Sequence, residues 1–115
     1  KQIRKLITDR LYDALFSEES LCNFGFQNTQ TVEVFPAGEG KFIIRVDRIN
    51  DKQANLINWI LTSEYYFTMK TVGNSSNEVY SWLCQSLEET SEKVYRILDE
   101  FFFYHYSNTL RDFEL

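Results

Sequence analysis

The chain has 115 residues, enough for a single domain with one hydrophobic core but not for two. Phe, Tyr and Trp make up 17% of it, which excludes a disordered chain, and the formal net charge is −5. Residues 76–115 hold eight acidic and three basic side chains, so this part of the chain repels phosphate backbones. No stretch approaches the roughly 18 apolar residues of a membrane span. We therefore expect one domain over residues 1–115 that binds neither nucleic acid nor membrane.

The two cysteines, Cys22 and Cys84, do not form the spacing of a metal knuckle or a disulfide framework. The chain as given carries no secretory leader, so the pattern indicates reduced thiols in a cytoplasmic protein. We expect both thiols to be inert in binding, and we expect no cofactor and no metal.

An amphipathic helix is predicted over residues 1–16, because six apolar side chains fall on one face. They are Ile3, Leu6, Ile7, Leu11, Ala14 and Leu15. Packing into the core is the simpler interpretation of this stripe, and a groove for a partner's hydrophobic segment is the alternative. Residues 17–20 end the helix, and residues 21–26 are predicted to be a short apolar connector.

A hairpin is predicted next, from two β-rich runs around a glycine-containing turn. The first strand covers residues 31–35 and stops at Pro36, the only proline, and the turn occupies residues 37–40. The second strand covers residues 41–49. Its first half is apolar on both faces, which is typical of an interior strand.

A short helix is predicted over residues 52–62, because Asn50 and Gln53 have the spacing of a weak capping box. Residues 64–72 are rich in aromatic and β-branched side chains, which indicates a strand, and residues 73–77 form a loop.

Residues 78–87 fit two patterns. The apolar positions 79, 83 and 87 have helical spacing, whereas Tyr80, Trp82 and Cys84 alternate as in a strand. A helix here would merge with the next one into about 35 residues, longer than a small domain normally carries. We therefore predict a strand paired antiparallel with residues 64–72.

The last helix is predicted over residues 90–111, with Thr90 or Ser91 as its N-cap. Glu88, Glu89 and Glu92 cluster at its start, where the positive end of the helix dipole favours carboxylates. The helices and strands then follow the order α-ββ-α-ββ-α. This order predicts an α+β domain with a largely antiparallel sheet and helices packed on one side.

The C-terminal part of this helix is apolar all round. Its stripe consists of Val94, Ile97, Leu98, Phe101 and His105, and rings then occupy every position from 101 to 106. Such a segment must be covered on more than one side, either by the domain itself or by a second subunit. We predict a homodimer, or an obligate complex with another protein, with Phe103 and Tyr106 in the contact.

The residues do not favour an enzyme. His105 is the only histidine and lies within the aromatic run, so no Ser-His-Asp or Cys-His arrangement can be built without it. Residues 38–41 are too short and too acidic for a phosphate-binding loop and are explained by a hairpin turn.

The order of elements, the acidity and the size resemble the small chaperones of type III secretion systems. The features that carry the resemblance are the amphipathic helix from Ile3 to Leu15, the hairpins over residues 31–49 and 64–87, and the acidic start of the last helix. The resemblance implies a homodimer that holds an extended segment of a client protein on apolar patches, without nucleotide.

We therefore predict a non-enzymatic, chaperone- or adaptor-like module whose partner is another protein. The alternative is an immunity or antitoxin protein whose acidic face masks a basic site on a toxin or nuclease. The residues predicted to bind protein are Phe102, Phe103, Tyr104, Tyr106, Glu88, Glu89, Glu92, Asp99 and Glu100.

Overall fold

The computed structural model describes residues 2–16, 21–27, 29–61, 68–72 and 78–107. Within these ranges, groups of strands are separated by helices. The helices are α1 (Gln2–Ala14), α2 (Asp51–Leu61), α3 (Leu87–Arg96), a π-helical turn (Ile97–Phe101) and α4 (Phe102–Tyr106). The strands are β1 (Cys22–Gly25), β2 (Thr31–Gly38), β3 (Lys41–Asp47), β4 (Thr68–Val72) and β5 (Glu78–Cys84).

The five strands form one antiparallel sheet in the order β1-β2-β3-β5-β4. The predicted α+β class, with an antiparallel sheet and helices on one side, is confirmed. So are both predicted hairpins, β2–β3 and β4–β5, and the interior position of β3. Of the predicted strand 64–72, residues 64–67 lie outside the described residues, as does the predicted loop 73–77.

The predicted connector over residues 21–26 is wrong, because it contains β1. In this strand Cys22 lies opposite Val34, and Phe24 lies opposite Val32. The side chains of Cys22 and Phe24 are buried in the core. Four residues are too few for an alternating pattern to stand out. The observed order is therefore α-βββ-α-ββ-α, one strand more than predicted.

Pro36 does not end β2, which continues to Gly38 with Pro36 opposite Phe42 and an irregularity between Pro36 and Gly38. β1 reaches only as far as Val34, so Pro36 lies where one side of β2 is a free edge. Proline is tolerated at such an edge, because no neighbouring strand needs its missing N–H.

The start of α2 confirms the predicted capping box. The Gln53 N–H donates to Asn50 Oδ1 at 2.9 Å, and the Asn50 N–H donates to Gln53 Oε1 at 3.1 Å. Two hydrogen bonds then fasten α2 to β5: the Tyr80 hydroxyl bonds to an Asp51 carboxylate oxygen, and the Trp82 indole N–H donates to Asn58 Oδ1.

The last helix begins earlier than predicted, and its N-cap is neither Thr90 nor Ser91. Ser86 is the N-cap, with its hydroxyl accepting from the Glu89 N–H at 3.1 Å. Ser86 and Glu89 have the spacing of a capping box. The prediction missed this signal because Thr90 and Ser91, nearby in the chain, are also possible N-caps. Thr90 is instead buried and donates its hydroxyl to the Ser86 carbonyl at 2.6 Å.

The helix also ends earlier than residue 111. Ser107 adopts a left-handed conformation (φ 56°), and its N–H donates to the Phe103 carbonyl, a common way for a helix to end. Residues 108–115 lie outside the described residues. Between α3 and α4 the Phe102 N–H reaches back five residues to the Ile97 carbonyl, so this turn holds one residue more than an α-helical turn.

The core lies between the sheet and the helices. α1 packs against α3, while α2 packs against α3 and the π-turn. Of the apolar face predicted for the first helix, Ile7, Leu11 and Ala14 are buried, whereas Leu6 and Leu15 remain exposed. The helix layer thus carries apolar side chains on both its inner and outer surfaces, and the outer ones define the candidate site.

Candidate protein-binding surface

The aromatic run at the end of the last helix divides between core and solvent. Phe101 and Phe102 are fully buried, whereas Phe103 is 58% exposed and Tyr104 is 70% exposed. The π-turn explains why two consecutive rings face inward. Its extra residue brings Phe102 onto the same inner face that Ile97 and Phe101 occupy.

Phe102, predicted to bind protein, is therefore a core residue, and that prediction is corrected. Its ring packs 5.5 Å from the ring of Phe26 and 5.5 Å from that of Phe101. The ring of Tyr106 stacks on Phe102 at 5.4 Å, and the Tyr106 hydroxyl donates to Gln30 Oε1 at 3.0 Å. Burial raises the pKa of Tyr106. Tyr106 is thus largely engaged within its own domain, although 37% of it stays exposed.

The most exposed rings of α2 and α4 are those of Trp59, Phe103 and Tyr104, and we refer to these three together as the aromatic patch. Trp59 is 66% exposed. It lies on the face of α2 that also carries Lys52, Asn55 and Leu56, since these positions are three or four residues apart. Leu56 and Tyr104 line the same cleft, which places this face of α2 beside α4. Sequence analysis assigned Trp59 no role, although it lies off the apolar stripe of its helix.

That cleft has a volume of about 330 Å³ and is lined by Lys52, Asn55, Leu56, Tyr104 and His105. His105, predicted to belong to the core stripe, is partly buried, with its ring 4.5 Å from Phe101 and 4.9 Å from Tyr104. Its Nε2 is buried and has no hydrogen-bond partner within the described part of the chain. Burial and, secondarily, the charge of Lys52 lower the pKa of His105.

The predicted acidic face is partly neutralised within the molecule. Glu92 pairs with Arg4 of α1 at 3.4 Å, and Glu100 pairs with Arg96 at 3.2 Å. Glu89 lies 3.7 Å from the Lys93 ammonium and also accepts the Gln85 N–H.

Glu88 and Asp99 are exposed and have no ion pair among the described residues. Only these two of the five predicted carboxylates are therefore free of intramolecular charge pairing. The five do not form a continuous, uncompensated anionic surface.

A second apolar area, which we call the α1 patch, lies at the end of the first helix. The rings of Tyr12 and Phe16 are 5.2 Å apart and are 53% and 76% exposed, and Leu15 and Leu21 are also exposed. Sequence analysis placed Leu15 on the core stripe and overlooked the two rings. Their four-residue spacing, away from Ile7 and Leu11, was the available signal.

The face of the sheet turned away from the core carries a smaller apolar group. Phe35, Ile43 and Leu83 are paired in register across β2, β3 and β5 and are half-buried. Next to them Arg45 pairs with Glu33 at 2.7 Å, and its guanidinium lies 5.5 Å from the centre of the Phe35 ring. This ion pair covers part of the apolar surface, which is thus less accessible than either patch on the helices.

The two thiols belong to the core. Burial raises the pKa of Cys22 and raises that of Cys84 to about 12, so both stay protonated at neutral pH. Among the described residues no three His, Cys, Asp or Glu side chains cluster as metal ligands. In the same part of the chain, every helix is too short or too polar to cross a bilayer.

No protein-family model, curated protein or solved structure matches this chain. The exposed rings are therefore the main guide to what the protein does.

Proposed function

We propose that this protein is a non-enzymatic protein-binding module of chaperone or adaptor type that acts as a homodimer. The aromatic patch forms the contact between subunits, and the α1 patch holds an apolar segment of a client protein. This is the role expected from the resemblance to secretion chaperones. With two protonated, buried thiols, we place the protein in the cytoplasm.

The observation that carries this proposal is the exposure of large rings on the outer surface of the helices. Single exposed apolar residues are ordinary, but grouped ones mark interaction surfaces. Tyr, Trp and Phe are also enriched at the centres of protein interfaces, where a few residues supply most of the binding energy. Fully burying one such side chain stabilises an assembly by roughly 1.5–3 kcal/mol.

The division of the two patches follows from their composition. The rings of the aromatic patch are carried by helices that the core holds in place, since Ile57 of α2, Phe101 of the π-turn and Phe102 of α4 are fully buried. A rigid, ring-rich surface suits a contact with an identical copy. The α1 patch includes leucines as well as rings, and an extended client segment needs apolar side chains of this mixed kind.

The immunity or antitoxin alternative loses support from the ion pairs of α3. A mask for a basic site needs several free carboxylates, and Arg4, Lys93 and Arg96 already neutralise three of the five. Salt separates the two functions, because charge masking weakens steeply with ionic strength whereas apolar binding changes little. We expect client binding to persist in high salt.

The test of the dimer uses a variant that removes exposed rings without touching the core. Trp59→Ser combined with Phe103→Ser should shift the protein from dimer to monomer in sedimentation velocity, while the far-UV circular dichroism spectrum of the folded subunit is retained. The matched control is Tyr12→Ser combined with Phe16→Ser, which removes two exposed rings from the α1 patch and should leave the dimer intact.

The same two variants test the client site. The wild-type protein should suppress aggregation of the reduced insulin B chain, an apolar, nearly uncharged polypeptide, in high salt. The α1-patch variant should lose most of this activity while remaining dimeric. A wild-type monomer at high concentration would contradict the dimer, and full activity of the α1-patch variant would contradict the client site.

A further inference from the structure

We propose that the cleft between α2 and α4 is a binding site for a small monocarboxylic acid with an apolar body. Among the described residues, its walls combine one cation, one amide, two apolar side chains and an imidazole: Lys52, Asn55, Leu56, Tyr104 and His105. The site adjoins the proposed dimer contact and shares Tyr104 with it, whereas Trp59 and Phe103 belong to the dimer contact alone.

Lys52 gives the cleft its charge preference. It lies in the first turn of α2, where the positive end of the helix dipole adds to the attraction for an anion. Lys52 and His105 line the same cleft, and the charge of Lys52 helps to lower the pKa of His105. None of the described residues that line the cleft is a carboxylate, so an anion meets no like charge from them.

The imidazole of His105 is the feature of the cleft that indicates a bound ligand. A buried imidazole nitrogen without a hydrogen bond is costly, and most buried polar atoms have partners. The Nε2 atom of His105 is such an atom among the described residues. The pKa of His105 is lowered by burial and by Lys52, so the ring is neutral at physiological pH. A neutral imidazole bonds to a carboxyl or ether oxygen through its N–H, or to a donor through its lone pair. Because Nε2 is buried, a ligand in the cleft reaches it only when the ring turns towards the cleft.

The size and lining of the cleft define the rest of the ligand. A volume of about 330 Å³ accommodates a single ring or a short aliphatic chain with its carboxylate. Leu56 and Tyr104 offer the apolar and aromatic surface for that body, and the Asn55 amide offers a second donor for the carboxylate. A dication or a polyanion fits neither the single ammonium nor the apolar walls.

The experiment titrates the protein with phenylacetate, using 2-phenylacetamide and 2-phenylethylamine as the neutral and cationic analogues. His105 is the only histidine, so its ring signals in NMR spectra are unambiguous. Phenylacetate should produce saturable shifts at His105 and at the amides of residues 52–56 and 104–105. It should also raise the pKa of His105, because a bound anion offsets the charge of Lys52. The amide should bind about tenfold more weakly, because it lacks the charge-assisted bond, and the amine should not bind.

Lys52→Met should weaken phenylacetate binding about tenfold, and Lys41→Met, which removes a lysine from the β2–β3 hairpin, should leave it unchanged. The combined Trp59→Ser and Phe103→Ser variant should still bind the acid, so failure of the dimer proposal and failure of this one are distinguishable. Equal binding of acid and amine, or no saturable shift up to about 20 mM acid, would overturn the proposal.

Discussion

The two halves of the last helix, α3 and α4, were both predicted to be binding surfaces, but their side chains lie in different environments in the structure. In α3 the polar side chains bond within the molecule: Glu89 contacts Gln85 and Lys93, and Glu92 contacts Arg4. In α4 the rings are divided, with Phe102 in the core and Phe103 in solvent. The π-turn separates the two behaviours.

This difference shows that charge and apolar area carry different information in a sequence. A carboxylate can find a cation on a neighbouring helix, as Glu92 finds Arg4, so an acidic run does not establish a free anionic surface. The rings of a helix segment that is apolar on all sides cannot all be buried within the domain, because a single core covers only one side of the helix. The exposed rings of α4 thus remain the stronger indication of binding.

Phe102 and Phe103 give the largest expected contrast, since they are adjacent and chemically identical. Phe102→Ala should lower the free energy of unfolding by about 3–5 kcal/mol, because it leaves a cavity in the core. Phe103→Ala should change it by no more than about 0.5 kcal/mol, measured by urea denaturation at a protein concentration where both variants are monomeric. Similar losses from both would mean that Phe103 is also packed within its own subunit.

Glu88 and Glu89 make the corresponding pair in α3. Glu89→Ala should cost about 1 kcal/mol, because the Glu89 carboxylate accepts the Gln85 N–H just before the helix and contacts Lys93. Glu88→Ala removes an exposed carboxylate without an ion pair among the described residues and should leave the urea midpoint nearly unchanged. If Glu88→Ala proved the more costly of the two, the internal pairing proposed for α3 would be wrong.

The smallest expected effect is the change in stability with pH that is due to His105 in α4. Because the pKa of His105 is lowered in the folded state, the unfolded chain takes up a proton more readily. Stability should therefore be lost as pH falls through the ordinary histidine value of about 6.5 towards the folded pKa. The urea midpoint should fall between pH 7.5 and 5.5, and His105→Gln should reduce that fall. An unchanged fall in the variant would assign it to carboxylates instead.

Much of the architecture could be predicted because local signals agree with the final fold. The Asn50–Gln53 capping box located the start of α2 within one residue, and alternation at Tyr80, Trp82 and Cys84 identified β5 correctly. β1 could not be predicted, because its four residues form a strand only through pairing with β2. Pro36 misled the prediction for a related reason, since its tolerance depends on where β1 ends.

Phe103 and Tyr104, predicted to bind protein, are exposed in the structure, whereas Trp59 and the rings of the α1 patch were not anticipated. The sequence by itself determined that residues 101–106 carry more rings than one side of a helix can bury, which is a matter of composition and spacing. Tertiary structure decided which rings those are. The π-turn moved Phe102 inward, and Gln30 engaged Tyr106. The packing of α2 beside α4 brought Lys52, Asn55 and Leu56 next to Tyr104 and His105. Such choices depend on contacts between residues far apart in the chain, and no local pattern encodes them.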